Sequence, residues 1–470
     1  MGKSIVIDQV TRIEGHSKIT IHLNDAGEVE DAVFHVTQLR GFEKFVEGRP
    51  FHEMPSIFSR ICGICPVSHL VASAKACDML MSVQIPPTAI KLRRIINLAQ
   101  IAQSHALSFF YLSSPDLLLG MDADPATRNI LGVASVNPEL AAGGIRIRQV
   151  GQQIIETLAD KRIHPGWVVG GGVNKPLSKE DRDKLSALIP QAMTAAESAL
   201  KWFIAQLDRF SEEIANFCNF PTLYLALAGP NNELETYDGL LRVVDDDGRD
   251  VVGKVQPKDF ATIIDEEISP HSYLKSPYFK PLGISAGVYR VGPLARMHMA
   301  STCGTPRADE ALKEFQHLDH RSSFYYHYAR LIEIIYAFEM IQRLLDDAEI
   351  LDEHVRAFAS PNAFEGIGVA EAPRGTLMHH YKIDENGLIT YADLVIATGH
   401  NNLAMNMGIT QAAKHFIKGE NISEGILNRI EAVIRTFDPC LSCSTHAFGQ
   451  MPLHIQLLAS DGSVLDEVKR

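Results

Sequence analysis

Two Cys-x-x-Cys pairs are the residues of this chain best suited to chemistry. Cys62 and Cys65 lie in Arg60-Ile61-Cys62-Gly63-Ile64-Cys65-Pro66-Val67-Ser68-His69, and Cys440 and Cys443 in Asp438-Pro439-Cys440-Leu441-Ser442-Cys443-Ser444-Thr445-His446. The two-residue spacing lets one turn bring both thiolates to one metal, and thiolates are soft ligands that suit nickel, iron, copper(I) and zinc. Gly63, Pro66 and Pro439 are residues of tight turns. Three other readings compete. Structural zinc also takes two such pairs, but its halves usually lie within roughly 15–20 residues; here 374 residues separate Cys65 from Cys440. A dithiol redox site would want a thioredoxin-like context, which neither pair has. Buried cysteines can also be chemically inert. From the residues alone, a closed zinc site and a catalytic metal stand level.

The elements that must position these pairs are mostly helical. The first forty residues read as strands, Ser17 to Leu23 and Glu28 to Val36 flanking the turn residues Asn24-Asp25-Ala26-Gly27. Helical periodicity runs from Pro86 to Leu119, through Ile95, Leu98, Ile101 and Phe110. It returns from Ser178 to Phe217, with an interruption expected at Pro190, and again from Ala308 to Asp347. Short strands are expected at Leu241–Val244 and Val251–Val255, and between Tyr381 and Ile396 around Asp384-Glu385-Asn386-Gly387. The expected class is α+β, predominantly helical with a long-helix core and several small antiparallel sheets or hairpins. The expected regions are 1–60 (strand-rich), 61–220 (helical, first cysteine pair), 221–306 (irregular and strand-rich), 307–446 (helices and strands, second pair) and 447–470 (a C-terminal extension).

At 470 residues the chain has ample material for a large core divided among subdomains. Its net charge of −13 argues against nucleic acid or an anionic membrane surface as a partner. No stretch offers the roughly 18 uninterrupted apolar residues of a membrane span; the best, Tyr328 to Leu344, is broken by Arg330, Glu333, Glu339 and Arg343. The N-terminus reads as a strand and not as a signal peptide, so a cytoplasmic home is expected unless a partner subunit carries an export signal.

The paired motifs resemble those of nickel–iron hydrogenase large subunits. The resemblance extends through Thr11-Arg12-Ile13-Glu14-Gly15-His16, Arg40-Gly41-Phe42-Glu43, Ala372-Pro373-Arg374-Gly375 and Leu394 to Thr398, so it covers nearly the whole chain in order. Details such as Leu112-Ser113-Ser114-Pro115-Asp116 and Ala397-Thr398-Gly399-His400-Asn401-Asn402 look closest to the cytoplasmic, NAD(P)-linked bidirectional branch. The family's fold is therefore expected, with reversible heterolytic cleavage of H2 as the activity. The resemblance implies Cys62 and Cys440 as terminal nickel ligands and Cys65 and Cys443 as ligands bridging nickel and iron, the iron holding one carbon monoxide and two cyanides. It implies Cys440 as first proton acceptor and Glu14 as first carboxyl relay, whose proton affinity must be tuned by partial desolvation. Arg374 would cap the centre with Pro373 beside it, Asp116 and Asp438 would hold Arg374 and the cysteine loop, His69 would donate to Cys65, and Thr398 would hydrogen-bond a cyanide. A histidine at position 69 is also a zinc-ligand type. Glu43, the Leu394 carbonyl and His446 would hold magnesium. Adjacent His379 and His380 read as structural.

The resemblance also implies endoproteolysis between His446 and Ala447, releasing the 24 residues to Arg470; on its own pattern this tail is a C-terminal hairpin. With four of seven cysteines assigned, Cys77, Cys218 and Cys303 are too dispersed for an iron–sulfur cluster in this chain, and no Gly-x-Gly-x-x-Gly nucleotide fingerprint follows a strand. Electrons must then leave through partners. The resemblance implies a diaphorase module with flavin and iron–sulfur clusters, reached through a small iron–sulfur subunit, and a maturation endopeptidase acting on the tail.

Overall fold

The computed structural model describes residues 4–419 and 422–446, and the backbone of strands His454–Leu458 and Val464–Lys469. Ala447 and the expected cleavage point lie outside the described residues.

Strands β1 (Ser4–Asp8), β2 (Ser17–Leu23) and β3 (Val29–Val36) form an antiparallel meander. Its second turn forms because the Asn24 side chain accepts the backbone N–H groups of Ala26 and Glu28 at 3.0 and 2.9 Å. Alternate residues of β2, from Ser17 through Ile19 and Ile21 to Leu23, face the core.

The helical body follows. Helices α1 (Pro66–Met81), α2 (Pro87–Ala106), α3 (Pro138–Ala159) and α4 (Lys179–Ile204) precede a four-stranded sheet. That sheet comprises β4 (Leu223–Ala228), β5 (Leu240–Val244), β6 (Asp250–Val255) and β7 (Tyr289–Arg290), with β7 running parallel to β4 and the other pairs antiparallel. Then come α5 (Pro293–Met299), α6 (Tyr326–Leu345) and the antiparallel sheet of β8 (Glu365–Ala372), β9 (Gly375–Ile383) and β10 (Ile389–Val395). Helices α7 (Asn402–Phe416) and α8 (Glu424–Phe437) lead to the second cysteine pair. The α+β class, helices dominant with small sheets, is what the sequence leads one to expect.

Two expectations change, and one strand is unannounced. Pro190 does not interrupt α4, which runs through it; the proline is exposed, so water can satisfy the carbonyl its ring leaves unpaired. The pattern from Ala308 to Asp347 is two helices, Pro306–Gln316 and α6, because Ser322 caps a new turn through Phe324 N–H. Strand β8 has no sequence signal of its own: its alanines and glycines carry little strand propensity, and pairing with β9 makes it a strand.

Helix α6 is buried from Tyr326 to Phe338, Arg330 and Glu333 included. One continuous apolar core extends from Ile7 to Cys443, and a smaller one lies between the four-stranded sheet and β8–β10. No helix among the described residues is long and apolar enough to cross a membrane. Strands His454–Leu458 and Val464–Lys469 pair antiparallel.

Candidate metal centre

Each cysteine pair sits at the end of an element that aims it inward. A turn at Ser59–Ile61 leads into extended Cys62, and Cys65 immediately precedes α1, whose first residue is Pro66. The loop is gripped from α2: Gln100 and Gln103 Nε2 donate to the Ile64 carbonyl at 2.6 and 3.0 Å, and Ile64 N–H donates to Cys62 Sγ at 3.2 Å. On the other side α8 ends at Asp438 in the left-handed conformation, φ 54°, and Pro439 cannot continue the helix. Cys440 N–H then donates to Thr398 Oγ1 at 3.0 Å.

The N-terminal loop seals this arrangement. Leu441 N–H donates to the Glu14 carbonyl at 3.1 Å, and Ser442 N–H donates to Glu14 Oε2 at 3.0 Å. Gly15 is required here: its φ is +94°, and a Cβ would stand 2.6 Å from Leu441 Cβ.

The result joins residues 378 positions apart. Cys62 and Cys440 Sγ are 3.0 Å apart, Cys65 and Cys443 Sγ 3.4 Å, and Cys440 and Cys443 Sγ 3.0 Å. All four sulfurs lie within 4.8 Å of one another, and all four residues are buried. Hydrogen bonds from Cys440, Cys443, Cys62 and His69 draw the Cys65 thiol well below its ordinary range against the effect of burial, whereas burial pushes Cys440 and Cys443 well above it. A compact, dry set of four soft donors, one predisposed to ionise, fits thiophilic metal.

Arg374 stands beside the sulfurs at the tip of the β8–β9 hairpin. Its Nε donates to the Asp438 carbonyl, and its terminal nitrogens reach Asp438 Oδ1 at 3.1 Å and Ser104 Oγ at 3.3 Å. Burial opposes its charge, but Asp438 and then Cys440, Cys65 and Cys62 hold its proton affinity well above the usual value. Burial in turn pushes Asp438 up, with Arg374 and Arg330 pulling against it.

Asp116 does not hold Arg374. Its carboxylate lies 2.6 Å from Arg12 and 3.2 Å from Arg435, and accepts from Asn428 at 3.0 Å. Ser104 fills the place expected of Asp116, because α2 passes beside Arg374 while Asp116 lies beyond the wide turns at Leu107–Ser113. Asp116 instead ties the loop that carries Glu14, through Arg12, to the helix that delivers Cys440, through Arg435.

His69 Nδ1 lies 3.1 Å from His379 Nε2, and His379 Nδ1 meets Tyr381 Oη, whose hydroxyl donates to Ser73 Oγ at 2.9 Å. The neighbour His380 faces outward to Glu365 at 2.7 Å. His379 therefore backs a residue of the centre, a role its sequence neighbourhood does not signal. Gln100 and Gln103, three apart and so on one face of α2, are the residues whose spacing matches the grip on the first cysteine loop.

The residues expected around magnesium form a second cluster. Lys275 Nζ lies 2.9 Å from Glu43, 2.9 Å from Glu266 and 3.0 Å from Asp393. Leu394 presents its N–H to Glu43 Oε1 at 2.9 Å, and His446 Nε2 meets the Cys443 carbonyl at 2.7 Å, leaving His446 Nδ1 buried and without a partner among the described residues. Burial pushes Glu266 up to about 8 and also raises Glu43, even with Lys275 present. Three partly buried carboxylates against one ammonium, beside an imidazole nitrogen with no partner among the described residues, fit an additional hard cation. Lys275, Glu266 and Asp393 carry no motif that would announce them.

The fold and the sulfur set define a metalloenzyme family. The model of the nickel-dependent hydrogenases matches residues 40–165 and 242–446, and a HoxL-like model matches residues 4–39; the chain belongs to the nickel-dependent hydrogenases. It is 41% identical to the beta subunit of the NAD-reducing hydrogenase HoxS of Cupriavidus necator over 100% of both chains. It is 40% identical to a chain of the F420-non-reducing hydrogenase vhc of Methanococcus voltae over 98% of each. A solved NAD+-reducing NiFe hydrogenase in its H2-reduced state superposes with a TM-score of 0.92 at 44% identity, covering 94% of this chain and 99% of that one. The Ni-Fe-Se hydrogenase of D. vulgaris Hildenborough, 24% identical, shares the fold with a TM-score of 0.76, covering 95% of this chain and 100% of that one.

Proposed function

We propose that this chain is the hydrogen-activating subunit of an NAD(P)-linked, bidirectional nickel–iron hydrogenase of the cytoplasm. The observation that carries the reading is the convergence of Cys62, Cys65, Cys440 and Cys443 within 4.8 Å in a buried pocket. Cys62, Cys65, Cys440 and Cys443 would together hold the nickel–iron centre, its iron carrying one carbon monoxide and two cyanides. When bound, the metals supply the site at which H2 is polarised and split heterolytically.

The chain's own residues supply the rest. Cys440 takes the proton. Glu14, joined to the Cys440 loop through Ser442 N–H, carries it away from the sulfurs. Arg374 holds a positive charge against the centre, fixed by Asp438 and Ser104. The Thr398 hydroxyl accepts from Cys440 N–H and keeps its own proton free to donate to a cyanide. Glu43, the Leu394 carbonyl and His446 would hold magnesium beside the second pair.

Cys77, Cys218 and Cys303 sit apart from the four ligands, Cys77 Sγ on the Phe51 carbonyl and Cys218 Sγ on that of Ala404. This supports electron exit to a flavin-containing diaphorase through a small iron–sulfur subunit, as does the likeness to a NAD-reducing enzyme. The family match ends at residue 446, which supports release of 447–470 by an endopeptidase after His446.

Infrared spectroscopy of the co-expressed, matured complex tests the reading: bands of iron-bound carbon monoxide and cyanide are expected, with about one nickel per chain. Stoichiometric zinc without nickel or such bands would overturn it in favour of a closed structural site.

A further inference from the structure

A second buried arginine holds the turn that carries Arg374. Arg296 on α5 is 1% exposed, and its donors converge on that turn and on the acids behind it. One terminal nitrogen reaches the Ala372 carbonyl at 3.1 Å and Glu371 Oε2 at 2.7 Å; the other reaches the Pro373 carbonyl at 3.3 Å and Glu333 Oε2 at 2.6 Å. Its Nε reaches Glu333 Oε1 at 2.6 Å.

The acids are fixed in turn. His105 on α2 lies 2.7 Å from Glu333 Oε2. Glu371 Oε1 accepts from Leu227 N–H at 2.9 Å and from Thr376 Oγ1 at 2.8 Å. The start of α5 presses on the same turn: Gly292 has φ +94°, and a Cβ there would stand 2.7 Å from the Arg374 carbonyl oxygen. One short helix thus touches Ala372, Pro373 and Arg374 through their backbone carbonyls.

A two-residue turn held only by its own strand ends could rock. The guanidinium of Arg374 extends several bonds beyond that turn, so a small backbone rotation becomes a larger displacement over the sulfurs. Locking two successive carbonyls with a planar fork that is itself fixed by two carboxylates removes that freedom. A lysine offers one point charge and cannot span the same acceptors.

We propose that Arg296 is a positioning residue for hydrogen activation: braced by Glu333 and Glu371, it sets where Pro373 and Arg374 stand above the four cysteines. The role rests on the functional reading above, but the rigidity of the turn does not.

The test is Arg296→Lys in the matured complex, with His105→Phe as a milder variant that keeps ring volume and removes the bond to Glu333. Amide exchange of the peptide spanning 371–376 is expected to rise at least ~10-fold, and H2-dependent activity to fall on the order of 100-fold, as for a misplacement of about 1 Å. Nickel content is expected to hold while the cyanide bands shift, and His105→Phe should move every readout the same way by less. Unchanged exchange and unchanged bands in a folded, nickel-loaded Arg296→Lys complex would overturn the proposal. If that variant yields no soluble complex, the same readouts on His105→Phe decide. Wild-type complex without diatomic bands would instead sink the functional reading, and the exchange result would still judge the clamp.

Discussion

The acidic cluster around Lys275 makes a quantitative prediction about the metal-free chain. Burial lifts Glu266 from its ordinary 4.5 to about 8, so between those values the folded chain keeps a proton that the unfolded chain has released. Stability contributed by such a group is full below its unfolded value and is lost as pH rises through the folded one. Buried histidines act in the opposite sense at lower pH: burial holds His105 near 4 and His446 near 3, so folding favours their neutral forms below about 6.5. The window for Glu266 is therefore pH 6.5 to 8: the folded histidines are neutral throughout it, and the last of their unfolded-state titration is common to the Glu266→Gln protein and cancels in the comparison. At 1.36 kcal/mol per pH unit per proton, Glu266 should cost the folded state about 2 kcal/mol across this window. Its side chain is 18% exposed, so solvent screening trims the figure only slightly. The assay is urea unfolding of the subunit produced without metals, at fixed ionic strength, beside Glu266→Gln. The wild type should lose stability relative to the variant by that amount as pH rises, and saturating magnesium should abolish the difference by favouring the carboxylate. Parallel pH profiles for the two proteins would refute the reasoning, since the buried carboxyl would then not titrate on folding.

Two further outcomes follow from the loop that seals the centre. Glu14→Gln keeps an oxygen to accept the Ser442 N–H but cannot carry a proton, so exchange between deuterium gas and water should fall by ~100-fold or more with little change in unfolding temperature; exchange at the wild-type rate would remove Glu14 from the proton route. Against the upward push of burial, Arg435 and Arg12 hold Asp116 below the usual carboxylate range, so Asp116→Asn should cost about 3 kcal/mol, read by chemical unfolding near pH 7, and lower metal retention by loosening the Glu14 loop. That stability is present above about pH 4 and lost as pH falls, so the variant and wild type should converge in acid.

Much of the centre is legible in the chain itself. Two identical spacings of soft ligands, with a glycine and prolines to form their turns, mark a metal site because the motif is local: a two-residue gap constrains geometry wherever it falls. The helices can be read for the same reason, since apolar periodicity records a face that must be buried. Distance is not legible. The spacings do not say that Cys62 and Cys440 come to 3.0 Å, or that Glu14 lies against Ser442; only the family resemblance implies that these residues share one centre. Those contacts depend on where α1, α8 and the N-terminal loop pack, which the whole core decides.

Partner choice is the harder question. Asp116 and Ser104 are both plausible neighbours for an arginine, and only the path of α2 beside the β8–β9 turn selects Ser104. Lys275, Arg296 and His379 act from separate elements and carry no spacing that could announce them. The residues that would touch the metals are thus written into short stretches of chain. The residues that hold those stretches in place are determined by packing, because burying a charge or an amide leaves it to bond with whatever the fold sets beside it.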